Sequence, residues 1–351
     1  MPPEVTVHGA GLAGLTCSLL LARSGHRVTL VGAPPSSQPT DLVLNEPTMM
    51  VLTRVWGVPG DRLLASGHAL TTRRIRWGPD AVEQSVPAPA VVVNAPQLLR
   101  SLERRLLRTE RHRVVSTEAP EPDHGQWAIH ATASRDSTTS CPPVGRRCAL
   151  IAHAPLAHGV PATVSRMATT TESWLYLAPL GDGRTLIQAM TPAPPLDPVR
   201  YLAAELAAAR LDGWLAEQPD RVSVVPAAPW LAPHHPTPGH VRIGGAALRL
   251  DPVSGAGAGH ALRTAILAAA VIRGVNDGLP AATALDHYTQ RLRAAFADHL
   301  ASCTSYYRAA FTSAAWANEL HATATALTTH AEPLRDRQFE LTLRVDRLTP
   351  K

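Results

Sequence analysis

Gly9-Ala10-Gly11-Leu12-Ala13-Gly14 is the stretch on which the reading of this chain turns. Before it stands a short β-prone run, Val5-Thr6-Val7. After it, apolar residues recur at helical spacing (Leu12, Leu15, Leu19, Leu20) and Gly25 closes the run. Arg27-Val28-Thr29-Leu30-Val31 reads as a second strand, stopped by Gly32 and Pro34-Pro35. Strand, glycine turn, helix and strand within about thirty residues make a β-α-β unit. In such a unit the first glycine permits a tight turn and the second lets a pyrophosphate approach the backbone. The third lets helix pack on strand, and the helix N-terminus offers free N–H groups to phosphate. Gly9, Gly11, Leu12, Ala13 and Gly14 are therefore candidate cofactor-binding residues; the plain alternative is a glycine-rich turn with no ligand.

Outward from the turn, residues 36–40 read as a polar loop and 47–56 as a helix ended near Gly57 and Pro59. Strands are expected at 73–77 and 85–94, then a helix at 96–108 with proline in its first turn. Further strands are expected at 113–116, 127–132 and 147–154. Residues 173–180 and 184–190 form a hairpin around Gly181-Asp182-Gly183, followed by a helix at 199–215 and a strand at 240–243. Gly255-Ala256-Gly257 opens a small-residue helix at 258–274, and residues 281–329 are alanine-rich and helical. The order implies an α/β fold in which a Rossmann-like nucleotide-binding domain is assembled from separated segments, 1–70, 94–150 and 238–280. Residues 71–93 and 151–237 make an inserted mixed-sheet substrate domain, and 281–351 a C-terminal helical region.

Composition excludes several chemistries. The 351 residues carry 33 basic side chains and a net charge of +5, yet Lys351 is the only lysine. A Schiff-base lysine or a P-loop lysine within the fold is thereby ruled out. The arginines are scattered, with the densest groups (Arg73, Arg74, Arg76 and Arg104, Arg105, Arg108) suited to exposed faces, so nucleic acid is not an expected partner. Cys17, Cys141, Cys148 and Cys303 show neither C-x-x-C nor zinc spacing and read as reduced, structural thiols. His153, His158, His234, His235 and His240 read as loop histidines rather than metal ligands. The first strand begins too early for a signal peptide, and no apolar run approaches membrane length, so a cytoplasmic protein without membrane insertion is expected.

Further along, Val241-Arg242-Ile243-Gly244-Gly245-Ala246-Ala247 leads to Asp251-Pro252-Val253-Ser254-Gly255-Ala256-Gly257. This stretch resembles the G-D-A-A…D-P-x-x-G-x-G element of the FAD-dependent monooxygenases, whose fold is that of p-hydroxybenzoate hydroxylase. Asn45-Glu46-Pro47 looks like the G-E-x-x-P stretch of the tryptophan-halogenase-like branch. Trp174-Leu175-Tyr176-Leu177-Ala178-Pro179 is similar to that branch's W-x-W-x-I-P element. Tyr306-Tyr307-Arg308 with Trp316 resembles the flavoprotein maturases of tryptophylquinone-containing oxidases. The resemblance implies FAD, with NAD(P)H or a separate flavin reductase supplying electrons. Gly245, Pro252, Gly255, Ala256 and Gly257 would lie along the ribityl chain and the flavin, where a helix N-terminus stabilises negative charge. Glu46 would touch the flavin, or simply complement a helix dipole. Trp174 and Tyr176, alternating on one strand face, and His260, near the start of the flavin-facing helix, are the candidate substrate-pocket residues. Sheet-core packing is an equal reading of the two aromatics.

The departures are specific. Where the second strand should end in an acid for the ribose there is Gly32, and the family's ribitol-binding aspartate is Gly245. The arginine often found before the helix at Pro96 is Ala95, and a D-A-T-G-like stretch appears as His130-Ala131-Thr132-Ala133. Each lost hydrogen bond costs about 1 kcal/mol or more, which implies FAD held weakly or lost. The lysine of flavin-dependent halogenases is also missing. The expected function is an FAD-dependent monooxygenase hydroxylating an aromatic or tryptophan-like small molecule or a peptide side chain. Two alternatives stand beside it: a flavoprotein-fold scaffold without redox activity, and a flavin-dependent dehydrogenase or reductase. No catalytic acid or base is legible from spacing.

Overall fold

The computed structural model describes residues 4–32, 41–108, 112–115, 127–132, 142–233, 239–331, 341–344 and 347–350. The chain opens with β1 (Glu4–His8), α1 (Leu12–Arg23) and β2 (Arg27–Val31), and continues with β3 (Asp41–Asn45), α2 (Glu46–Trp56), α3 (Gly60–Ser66), β4 (His68–Arg76), β5 (Gln84–Asn94) and α4 (Ala95–Leu106). β6 (His112–Val115), β7 (Trp127–His130), β8 (Cys148–Pro155), β9 (Val164–Thr169), β10 (Trp174–Pro179), β11 (Arg184–Thr191), α5 (Pro198–Ala208) and β12 (Ser223–Pro226) follow. Then come β13 (Trp230–Leu231), β14 (His240–Arg242), β15 (Leu248–Arg249), α6 (Gly257–Asn276), α7 (Ala281–Ala310) and α8 (Ala314–Ala331). A terminal hairpin of β16 (Leu341–Arg344) and β17 (Arg347–Pro350) ends the described chain.

Five strands form a parallel sheet in the order β14-β7-β1-β2-β6. Register pairs Val5 with Val28 and Trp127, and Val7 with Leu30 and Ile129, so alternate residues of neighbouring strands share one face. That face is buried in one core with α1, α4 and α6. The opposite face carries Thr6, His8, Thr29 and His130, which is why these strands alternate apolar and polar residues.

Eight strands form the second sheet in the order β12-β8-β11-β10-β9-β4-β5-β3, antiparallel except for the β4–β9 pair. All six residues of β10 are buried, because both faces of this sheet are covered. Trp174, Tyr176 and Ala178 pack with Tyr307 of α7 and Trp316 of α8. Leu175 and Leu177 pack with Leu202 and Leu206 of α5 on the other side. The hairpin expected at Gly181-Asp182-Gly183 joins β10 to β11, with both glycines at positive φ.

Several expectations need correction. The helix expected at 199–215 ends at Ala208, because Arg210 adopts a left-handed φ of 56°. The Leu211 N–H then donates to Leu206 O at 2.8 Å and the Arg210 N–H to Ala207 O at 2.9 Å, the double bond of a Schellman turn. Leu211, Trp214 and Leu215 remain buried, which is why the apolar pattern ran on past the break. The short elements β3, α3, β9, β12, β13 and β15 were not anticipated, and the region 281–351, expected to be helical, also contains the β16–β17 hairpin. Contrary to the expectation that no apolar run reaches membrane length, α6 is long and apolar enough to cross a membrane. Its Ala265, Ala268, Ala269, Ala270, Val271 and Ile272 are instead fully enclosed in the protein core. Residues 36–40, Ala133, Cys141, His234, His235 and Lys351 lie outside the described residues.

Candidate functional site

At the end of β1 the chain turns at Gly9, whose φ is +112°. A Cβ on Gly9 would lie 2.2 Å from Thr132 Oγ1, and one on Gly14 would lie 1.8 Å from the Gly9 carbonyl oxygen. Only glycine allows α1 this close to the turn. The Gly9 N–H donates to Val31 O at 2.8 Å, tying the turn to β2. Gly32 (φ +100°) stands beside it, where a Cβ would be 3.9 Å from the Gly9 backbone. Gly11 differs from these: a Cβ there would meet nothing within 4 Å, and Gly11 caps α1 without a side-chain hydrogen bond. The start of α1 is therefore uncrowded at Gly11 and has no side-chain partner for its first N–H groups. Leu12 is half-buried and Ala13 buried.

The second glycine unit meets the first directly. Gly244 (φ +57°) follows β14, and a Cβ there would be 2.8 Å from Ala13 Cβ. Its N–H donates to Thr264 Oγ1 of α6 at 2.9 Å. Asp251 caps the next turn, accepting from the Val253 N–H at 3.0 Å, with Pro252 fixing the turn's first residue. Gly255 (φ +59°) and Gly257 open onto empty space, and α6 begins at Ala256 with no side-chain cap. Asn45 caps α2 by accepting from the Thr48 N–H at 3.0 Å, and Glu46 stands exposed in its first turn. A Cβ on Gly259 would reach Thr48 Oγ1 at 2.9 Å, so α2 and α6 touch near their N-termini.

Two long helices thus begin without side-chain caps, each beside glycines bordered by open space. Their N–H groups and dipole ends are suited to a pyrophosphate at α1 and to an electron-rich ring at α6. By this geometric criterion the residues present fit a flavin dinucleotide. What is absent is side-chain hydrogen bonding from Gly32 and Gly245. Ala95, the first residue of α4, is buried, and His130 is stacked between His8 (5.2 Å) and His240 (5.8 Å). Burial, with His8 and His240 beside it, pushes the His130 imidazole down to about 4.

A cavity of about 290 Å³ adjoins the start of α6. Gly245, Pro252, Gly257 and His260 from the C-terminal unit form one wall, while Ile151 of β8 and Gln188 of β11 contribute to the sheet wall. Arg249 also lines it, with its guanidinium carbon 4.8 Å from the centre of the Trp230 ring. His260 is 6% exposed, and its Nε2 has no hydrogen-bond partner. Burial, with Arg263 nearby, lowers its imidazole to about 4, so it is neutral at neutral pH.

Trp174 and Tyr176 do not line this cavity. The Trp174 indole N–H donates to Tyr307 Oη at 3.2 Å inside the core. Tyr176 lies one strand away from the cavity, in register with Gln188, with Arg73 over its ring and its buried hydroxyl unpartnered.

Beneath the site is a buried ionic cluster that spacing did not reveal. Arg147 Nε lies 3.0 Å from Asp251 Oδ2, and Arg147 Nη1 lies 3.3 Å from Glu319 Oε2 of α8. The Tyr307 hydroxyl donates to Asp251 Oδ1 at 2.7 Å, and the Asp251 N–H donates to His299 Nε2 at 2.8 Å. Asp251 is visible in the D-P motif, but its partners come from three distant segments. His153, expected in a loop, is in β8 with Nε2 2.9 Å from Asp41 Oδ2. His158 is exposed in a turn, and His240 is in β14. Cys17, Cys148 and Cys303 are free and buried. Among the described residues no group of His, Cys, Asp and Glu is placed to hold a metal ion.

The fold is the one seen in flavin-dependent halogenases and FAD-dependent monooxygenases. The chain superposes on the flavin-dependent halogenase CmlS with a TM-score of 0.77 and 19% identity, covering 91% of this chain and 68% of that one. For QhpG, a peptidyl tryptophan dihydroxylase essential for tryptophylquinone cofactor biogenesis, the values are 0.76 and 20%, over 100% and 86%. For PqsL, a probable FAD-dependent monooxygenase from Pseudomonas aeruginosa, they are 0.67 and 16%, over 93% and 99%. Neither a family model nor a curated protein matches the sequence.

Proposed function

We propose that this protein is an FAD-dependent monooxygenase that hydroxylates an aromatic or tryptophan-like small molecule or a peptide side chain. The observation that carries the reading is the pair of uncapped helix starts, at Gly11 and Ala256, with a cavity against the second. The N–H groups at the start of α1, from Gly11, Leu12 and Ala13, would hold the pyrophosphate, with Gly9 and Gly14 shaping the turn, and Gly255, Ala256 and Gly257 would face the flavin ring. Bound flavin supplies the activation of O2: one oxygen atom enters a C–H bond and the other leaves as water, with two electrons and two protons consumed. NAD(P)H provides the electrons, directly or through a flavin reductase.

The chain's own residues bind and orient. The α6 N-terminus stabilises negative charge beside it, and the apolar sheet wall keeps water from the reacting atoms. Neutral His260 offers one hydrogen bond to the substrate. Halogenation is set aside because the described fold contains no lysine. In this reading residues 1–70, 94–150 and 238–280 hold the cofactor, while 71–93 and 151–237 form the substrate side.

A second reading is favoured by Gly32 and Gly245, which leave the ribose and ribityl hydroxyls without side-chain partners: a scaffold protein that retains the fold without redox chemistry. Titrating purified protein with FAD and following the flavin absorbance separates the two. Saturable binding supports the enzyme, and no binding at high micromolar FAD leaves the scaffold. With flavin bound, product formation that requires O2 distinguishes a monooxygenase from a dehydrogenase.

A further inference from the structure

We propose that the cavity at the start of α6 selects aromatic substrates bearing a carboxylate, and that Arg249 is the residue that holds it. The proposal rests on the reading of this cavity as the substrate site. Arg249 has no ion-pair or hydrogen-bond partner among the described residues, and its Nε is buried. No acidic side chain lines the cavity. Asp251, two residues on, is already engaged by Arg147 and Tyr307.

A partly desolvated arginine without a counterion gains more from an arriving anion than a fully hydrated one would. Register places Arg249 opposite Trp230, whose ring centre lies 4.8 Å from the guanidinium carbon and supports the side chain beside the cavity. A planar guanidinium in this setting is suited to two parallel hydrogen bonds to a carboxylate. Gly245 contributes by what it lacks. The Arg249 Cγ lies 4.0 Å from where a Cβ on Gly245 would be, so an acid at 245 would stand beside the guanidinium and neutralise it.

The rest of the cavity defines the other end of the ligand. Its walls are mostly apolar, with the unpartnered Nε2 of His260 as a second polar contact. At about 290 Å³, with Gly245, Pro252 and Gly257 of its lining on the flavin's side in the reading proposed, it has room for a small aromatic ring system and not for a peptide.

Calorimetric titration of the protein, with and without added FAD, tests this using two matched pairs: benzoate with benzamide, and indole-3-carboxylate with indole-3-carboxamide. At least one acid is expected to bind about tenfold or more tightly than its amide. Arg249→Gln should bring that ratio to within about twofold while leaving FAD titration unchanged. If R249Q does not fold, Arg249→Lys is read instead: it keeps the charge, loses the planar fork, and should lower the ratio several-fold. Equal binding of acid and amide, binding of neither acid, or an unaltered ratio in the variant overturns the proposal. A loss of FAD binding in R249Q also overturns it, by assigning Arg249 to the cofactor. If wild-type protein binds no FAD yet prefers the acids, the flavin reading fails and the Arg249 assignment survives.

Discussion

Arg147 Nε and Asp251 Oδ2 lie 3.0 Å apart, and neither side chain is exposed to solvent. The approach is off the N–H direction, so this is a charge contact rather than an aligned hydrogen bond. It joins the start of β8 to the turn that launches α6, and Glu319 draws α8 into the same cluster. Such a cluster adds little stability over apolar packing of the same volume, but removing one member strands the others. Arg147→Met is therefore expected to cost about 3–5 kcal/mol, since two carboxylates lose their cation. Urea denaturation checks this; a loss below about 1 kcal/mol would show that the carboxylates are already neutral in the folded protein.

The two glycines of the opening turn should separate folding from binding. A methyl group at Gly14 would strike the Gly9 carbonyl, whereas one at Gly11 meets open space. Gly14→Ala is expected to cost at least about 2 kcal/mol or yield insoluble protein. Gly11→Ala should melt within a degree or two of wild type and bind FAD at least about tenfold more weakly. Parallel thermal melts and FAD titrations read both, and an unchanged flavin affinity in G11A removes the pyrophosphate from that position.

Gly245→Asp restores an acid to a position with room for it. One recovered hydrogen bond of about 1 kcal/mol corresponds to roughly fivefold tighter FAD binding. Fluorescence quenching on titration measures it; weaker binding would mean that the carboxylate turns to Arg249 instead.

Arg210 closes α5 in a left-handed conformation that costs a side chain about 1 kcal/mol and glycine almost nothing. Arg210→Gly should raise the melting temperature by a few degrees at unchanged activity. A fall would indicate that the arginine side chain contributes more than its backbone costs.

Stability should fall with acid. His130, His260, His287 and His299 are held down at about 4, first by burial and then by neighbouring basic groups, against 6.5 when unfolded. Stability from these neutral rings is complete above about 6.5 and is lost as the pH drops through 4. Asp251, Glu205 and Glu319 are shifted upward by burial and act oppositely, their contribution falling as the pH rises through their folded values. Four imidazoles outweigh three carboxylates, so the melting temperature should decline between pH 6.5 and 4.5. A flat profile would locate those rings in water.

The opening β-α-β unit was legible because glycines, strand residues and helical spacing agree within one local window. Gly244 and Gly255 to Gly257 were legible for the same reason. Arg210 was not, because Leu211, Trp214 and Leu215 keep a helical apolar rhythm across a turn that only the backbone reveals. Trp174 and Tyr176 alternate as expected, but which body their shared face meets is decided by α7, far along the chain. Arg249 carries no local signal: its position beside a cavity depends on pairing with Trp230 and on a sheet wall drawn from β8, β11 and β12.

The contact of Gly244 with Ala13 has a consequence for biosynthesis. The ribosome makes the first glycine turn well before its counterpart, which emerges only after the entire mixed sheet. Until β14 arrives, β7 presents a bare parallel edge, and α1, which follows the Gly9 turn, lacks the α6 helix that packs against it. A nascent chain in that state depends on shielding from other unpaired strands, and flavin loading, in the reading proposed, is a post-translational event that follows completion of α6.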